Sequence, residues 1–357
     1  MKYALIGCGR IAVNHIKAAL ENGMTLVAVC DIRPQQMERL LDLYGLSGDT
    51  SIKRYTDYRA LLLQSAPILA AVATESGSHA RIALACIDRG VNVIIEKPMA
   101  MSIEDADEII RRADEKGVAV SVCHQNRFNE AVIRTRRALE AGRLGRLSHG
   151  CVHVRWNRSD DYYAQAPWRG TWASDGGALM NQCIHGIDLL CWLMGGDAEE
   201  VYGVTRRRLH RYIEAEDVGL AIVKFKSGAV ATIEGTTNVY PQNLEETLYL
   251  FGERGTVKLG GKSVNRIDVW AFSDATKADR ANEGFEEKTA NVYGNGHTAL
   301  YRDVAEAICR GRKPHVDARA GRAAVELVLA IYKSQKEGAP VRLPLYSFCS
   351  ADMAGEF

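Results

Sequence analysis

In "GGALMNQCIHGIDLLCWL", residues 176–193, an amide and an imidazole stand four residues apart, as Asn181 and His185. On a helix that spacing puts both on one face, while Met180, Ile184, Ile187, Leu190 and Leu193 point the other way. His185 can move a proton near neutral pH, whereas Asn181 can only donate and accept hydrogen bonds. A second candidate is Lys97. It follows Glu96 and precedes Pro98 at the end of the apolar run "VNVIIEKPMA", and a lysine beside buried surface or another cation gives up its proton more readily. A third group lies in "RWNRSDDYYAQAPWRGTW", residues 155–172, with three of the five tryptophans, two tyrosines and three arginines. Guanidinium forks suit phosphates or carboxylates, and aromatic faces stack on a base or sugar ring. Arg158, Arg169, Trp168 and Tyr163 are the candidates there.

"GCGRIA" supplies Gly7, Gly9 and Ala12 between an apolar strand and a helix. Gly7 allows the tight turn, Gly9 lets backbone approach a pyrophosphate, and Ala12 lets the helix pack close to its strand. Arg10 and Ile11 open the helix whose amides would face the phosphates. Asp31 ends the second strand, where a carboxylate accepts hydrogen bonds from a ribose diol and repels a 2′-phosphate. The pattern reads as NAD binding, with Arg33 beside Asp31 leaving NADP open.

These residues need two kinds of scaffold. Residues 1–125 alternate apolar strands with helices, the grammar of a parallel sheet covered on both faces. This is an α/β Rossmann domain, which helices at about 297–340 are expected to complete. Residues 126–296 read instead as strands with turn signals, "FKSGAV" and "GERGTV" among them. They predict an α+β domain with an open, mostly antiparallel sheet for substrate binding and oligomerisation. The tail after Leu345 is expected to be peripheral.

At 357 residues the chain can hold two sizeable cores, and its net charge of +1 points to neither nucleic acid nor a membrane surface. Nine scattered cysteines without a CxxC read as reduced thiols of a cytoplasmic protein, and no metal site is expected.

Together, "GCGRIA", "EKP" and "DGGALMNQCIHGIDLL" resemble the Gfo/Idh/MocA oxidoreductase family, named for glucose-fructose oxidoreductase and inositol dehydrogenase, over nearly the whole chain. The resemblance implies a homo-oligomer, dimer or tetramer, joined through the exposed face of the second sheet. It implies that Lys97 and His185 flank the sugar carbon that loses hydride to NAD, one of them acting as base. Many members carry aspartate four residues before the histidine. Here Asn181 stands there, and an amide cannot take a proton, so Asn181 is expected to hold a substrate hydroxyl. Thr74 and His79 of "TESGSH" are expected at the cofactor with Glu96, although Glu75 replaces the family's usual proline. Gln125 and Arg127 are expected at the substrate. Within the family, "YY…WRGTW…DGGALMNQ", "YPQNLE" and "VYGNGH" are similar to WlbA/WbpB-type enzymes. Those oxidise the 3-hydroxyl of UDP-N-acetylglucosaminuronic acid for surface polysaccharide, some using 2-oxoglutarate to regenerate NAD. The alternatives on the same fold are a dehydrogenase of a free sugar or polyol such as inositol, and a non-catalytic NAD-binding regulator.

Overall fold

The computed structural model describes residues 1–289 and 293–357, so Val292 of "VYGNGH" lies outside the described residues. Two units divide the chain. The first is Met1–Ala100, Glu104–Cys123 and His297–Arg322; the second is Met101–Ile103, His124–Gly296 and Ala323–Phe357.

The first unit alternates strand and helix: β1 (Lys2–Ile6), α1 (Ala12–Glu21), β2 (Thr25–Cys30), α2 (Pro34–Asp42), β3 (Lys53–Tyr55), α3 (Tyr58–Ser65), β4 (Leu69–Val72), α4 (His79–Asp88), β5 (Asn92–Ile95), α5 (Ile103–Lys116) and β6 (Val120–Val122). The strands are parallel in the order β3-β2-β1-β4-β5-β6. This is the doubly wound arrangement, whose crevice lies at the carboxyl ends of the strands where the order reverses. β4 is wholly buried, which is why its sequence is a continuous apolar run. β3 and α3 were not anticipated. β3 is the polar tripeptide "KRY", and α3 is started by Asp57, whose side chain accepts from the Arg59 amide.

The second unit begins with α6 (Glu130–Glu140), β7 (Leu147–Arg155), α7 (Asp160–Ala164), α8 (Ile184–Leu193), β8 (Ala198–Arg206), β9 (Val218–Phe225), β10 (Val230–Thr236), β11 (Glu245–Gly252), β12 (Gly255–Gly260) and β13 (Arg266–Phe272). α9 (Gly296–Arg310) then returns to the first unit, and α10 (Ala318–Glu337) and β14 (Val341–Arg342) follow. The eight-stranded sheet runs β13-β12-β11-β7-β10-β9-β8-β14, antiparallel except between β7 and β10. Burial alternates strictly along β8 and β9, so one face is covered and the other is open. Gly219 and Gly235, cross-strand partners on the covered face, leave a bed for Leu179, which a side chain at either position would strike. The open face presents Tyr202, Val204, Leu220 and Ile222.

The expected completion of the first domain through about residue 340 stops at Arg322. Beyond it α10 packs on the second sheet. Ile331 lies against Gly203, and the Gly203 amide donates to Ser334 Oγ at 3.0 Å. The tail is not peripheral either, because Ser350 Oγ donates to the Trp172 carbonyl at 2.6 Å and Met353 is fully buried. None of the nine cysteines, all among the described residues, is in a disulfide. No helix among the described residues is long and apolar enough to cross a membrane.

Candidate active site

In the first unit the turn between β1 and α1 is shaped by what cannot fit. Gly7 has φ +97°, and a Cβ there would collide with the Ala73 carbonyl, whereas nothing lies within 4 Å of the place a Gly9 Cβ would take. Ala12 is fully buried, and no side chain caps the start of α1 at Ile11. Arg10 beside it is exposed. Asp31 ties the end of β2 to this turn. Its Oδ2 accepts from the Cys8 amide at 2.9 Å and its Oδ1 from the Arg33 amide at 2.8 Å. Each oxygen keeps a lone pair for a diol. Open space at Gly9, an uncapped helix and a fixed carboxylate fit a dinucleotide.

Lys97 is half-buried just past β5. The Glu96 side chain before it points inward, at the hub of a buried cluster. His15 Nε2 lies 3.0 Å from Glu96 Oε1, and His15 Nδ1 lies 2.6 Å from the Tyr301 hydroxyl, which meets Tyr3 at 2.9 Å. Glu96 Oε2 accepts from the Lys97 amide at 3.1 Å. Burial alone would raise the Glu96 carboxyl. The hydrogen bond from His15 and the nearness of His297, 3.8 Å away, outweigh it and hold the group well below the usual carboxylate range. Cys123 completes a set of four metal-ligating groups, with Glu96, His15 and His297, whose atoms lie within 4.8 Å of one another. The Glu96 carboxylate, expected at the cofactor, is thus engaged inside the unit. His79 is also held inside. Its Nδ1 lies 2.8 Å from the Pro98 carbonyl and its Nε2 3.1 Å from that of Thr74, so the ring ties two loops together. The Thr74 hydroxyl bonds Ser78 Oγ at 2.7 Å.

In the second unit the helix carrying Asn181 and His185 is not one regular helix. Leu179–Cys183 form a π-turn, and α8 begins only at Ile184. Such turns insert a residue into the helical register and recur at functional sites. Its start is held by Glu216, whose Oε1 accepts from the Leu179 amide at 2.7 Å and from the Tyr332 hydroxyl at 2.9 Å. Burial pushes the Glu216 carboxyl well above its usual range. Asn181 Nδ2 donates to Asp175 Oδ1, and Asp175 Oδ2 accepts from the Gly170 amide at 2.6 Å. One carboxylate thus links Asn181 to the loop of "WRGTW". His185 is 9% exposed, and its ring meets that of His124 edge-on, centroids 5.8 Å apart.

Trp156, Arg158, Tyr162, Arg169 and Trp168 form a ladder of alternating ring and guanidinium. Arg158 stands 4.9 Å from the centroids of both Trp156 and Tyr162, and Arg169 stands 4.1 Å from Tyr162 and 4.8 Å from Trp168. The Nε atoms of both arginines are buried and find no acceptor among the described residues. Buried donors are normally paired, so this ladder is suited to an anionic ligand.

Three residues expected at the substrate have partners inside the unit. Arg127 makes a buried two-pronged pair with Asp188 of α8, at 2.8 and 2.6 Å, and lies over the Trp192 ring. Gln125 is buried with its amide toward the Tyr293 carbonyl at 3.4 Å. Tyr163 is buried among Tyr162, His210 and Tyr212, its hydroxyl 3.3 Å from Thr237 Oγ1. Arg155 belongs elsewhere too, pairing with Glu234 and Glu245. Sequence reading missed Glu216, Asp175 and Glu246. The last of these breaks the apolar phase of Leu248 and Leu250 in β11, which is a readable signal.

Comparison with known proteins agrees with this geometry. Residues 1–124 match the model described as "Oxidoreductase family, NAD-binding Rossmann fold", and residues 132–258 match the "GFO/IDH/MocA C-terminal domain". The WlbA dehydrogenase from Bordetella pertussis, solved with NADH and UDP-GlcNAcA, is 37% identical with a TM-score of 0.87, over 97% of this chain and 98% of that one. The WlbA dehydrogenase from Chromobacterium violaceum, solved with the same two ligands, is 36% identical with a TM-score of 0.87, over 97% and 96%. A myo-inositol 2-dehydrogenase from Thermotoga maritima is 24% identical over 96% of this chain and 98% of its own length. The chain belongs to the Gfo/Idh/MocA oxidoreductase family, with an NAD-binding Rossmann domain.

Proposed function

We propose that this protein oxidises the 3-hydroxyl of UDP-N-acetylglucosaminuronic acid with NAD. The observation that carries the reading is the 37% identity, across nearly the full chain, to a WlbA dehydrogenase solved with NADH and UDP-GlcNAcA. The ladder of Arg158 and Arg169 supports it, since their buried donors suit a uronate or diphosphate. Bound NAD supplies the hydride acceptor. Lys97 or His185 takes the hydroxyl proton as the hydride leaves C3, and Asn181 orients a sugar hydroxyl. We further infer a homo-oligomer that buries the open sheet face.

A free polyol dehydrogenase is the second reading, favoured by the inositol dehydrogenase from Thermotoga maritima at 24% identity. NADH formation with UDP-N-acetylglucosaminuronic acid, the free sugar acid and myo-inositol decides between them. The proposal expects a strong preference for the UDP-sugar, and equal activity with the free sugar or with inositol would overturn it. An upstream nucleotide-sugar oxidation must supply the uronate, and the 3-keto product suits a transaminase.

A further inference from the structure

Glu246 stands where the pattern of β11 calls for an apolar residue. It shares the covered face with Leu248 and Leu250, opposite Val154 of β7. It is 2% exposed, and its Oε2 has no hydrogen-bond partner among the described residues. Leaving such a group unpaired in the interior is costly, and a leucine would serve packing better.

The residue stands at the wall of a cavity. Glu246 lines a cavity of about 500 Å3 with Trp156, Asn157, Gln242, Asn243 and Lys262. Asn243 Oδ1 also accepts from Arg158 Nη1 at 3.3 Å, which joins this cavity to the arginine ladder. On its other side, Glu246 Oε1 lies 3.9 Å from the place a Cβ of Gly186 would take, the residue after His185. Burial pushes the carboxyl up to about 8. Of the charged groups on the elements around it, Glu245 pairs with Arg155, Lys262 lines the same cavity, Arg158 sits at its edge and His185 is on the adjoining helix. None of them offsets the burial. At neutral pH the group is mainly a carboxylic acid, able to donate.

We propose that Glu246 is a specificity residue of the substrate site, its acid form donating a hydrogen bond to an sp2 oxygen on the sugar of a nucleotide sugar, either a uronate or an acetamido carbonyl. This rests on the nucleotide-sugar reading above.

The test compares wild-type protein with Glu246→Gln and Glu246→Leu in steady-state oxidation of UDP-N-acetylglucosaminuronic acid across alkaline pH. The Leu variant should raise KM about 10-fold with kcat changed much less, as for loss of one hydrogen bond. The Gln variant keeps a donor and should stay within about threefold. Wild-type KM should climb as pH passes about 8, and the Gln variant's should not. UDP-glucuronic acid and UDP-N-acetylglucosamine, used as inhibitors, each keep one of the two oxygens. The one that weakens in the Leu variant identifies the accepted group. An unchanged KM in Glu246→Leu, neither inhibitor weakening, or equal alkaline profiles in wild type and Glu246→Gln would each overturn the proposal. Loss of UDP binding itself in calorimetry would also overturn it, since the cavity would then take the nucleotide. A wild-type protein inactive on every UDP-sugar overturns the underlying reading, a result distinct from all of these.

Discussion

Asn181 donates to Asp175, and an amide takes no proton, so the proposed reaction assigns proton transfer to Lys97 or His185. Lys97→Met removes a charge and a possible base at similar length. His185→Asn removes the titratable ring. Each should lower kcat about 10²-fold or more, the loss expected for a positioned proton-transfer group. NAD affinity should move much less, because the Gly7 turn and Asp31 are untouched. Asn181→Ala should raise KM more than it lowers kcat. Full turnover in either Lys97→Met or His185→Asn would remove that residue from the mechanism. Asp31→Ser should weaken NAD binding and narrow the gap to NADP, since the diol contact and the repulsion of a 2′-phosphate go together. Titration of both cofactors measures it, and an unchanged preference would end the ribose assignment. Glu246 also carries a stability signature. Its carboxyl is neutral in the fold up to about 8 but ionises near 4.5 in an open chain, so the folded state binds the extra proton between those values. That contribution favours folding least at high pH. The melting temperature of Glu246→Gln should therefore gain on wild type as pH rises from about 5 to about 8. A constant difference would mean the carboxyl is not buried as described.

At the scale of elements, α8 is fixed by what lies on either side of it. The Arg127–Asp188 pair is almost fully buried, so Arg127→Ala leaves a carboxylate without its cation. The loss should be about 3–5 kcal/mol in denaturant unfolding, far above that of an exposed pair. The same pair shows where sequence reading stops. Arg127 had the right chemistry for a substrate contact, and only the fold reveals a partner 61 residues away. Tyr163 and Thr237 repeat the case at 74. Local signals did better. The glycine turn, the parallel strands, both hairpins and the open sheet were legible, because each depends on neighbours in sequence. The π-turn was not. A period count assumes one register, and Leu179–Cys183 leaves it where Glu216 holds the Leu179 amide and the glycine bed receives the Leu179 side chain. β3 was hidden by its length of three polar residues, and the docked tail by a contact to Trp172 that no local pattern encodes.

For the whole molecule, the open face of the second sheet sets the expectation. Tyr202, Val204, Leu220 and Ile222 alternate outward on adjacent strands, each more than a third exposed. Packing against the same face of a second copy would bury them with two-fold symmetry. Light scattering at micromolar concentration should find a dimer or tetramer, and Leu220→Glu with Ile222→Lys should shift it toward monomer. A monomeric wild type would sink the idea. The buried cluster around Glu96 has a separate consequence, for the order of synthesis. His15, Glu96 and Cys123 leave the ribosome with the first sheet, whereas His297 and Tyr301 belong to α9. A nascent chain stopped after Cys123 owns all six strands, yet its Glu96 carboxylate has His15 without His297, and His15 lacks the Tyr301 hydroxyl. That half-made domain should stay protease-sensitive on the ribosome until translation has passed Tyr301, and become resistant soon afterwards.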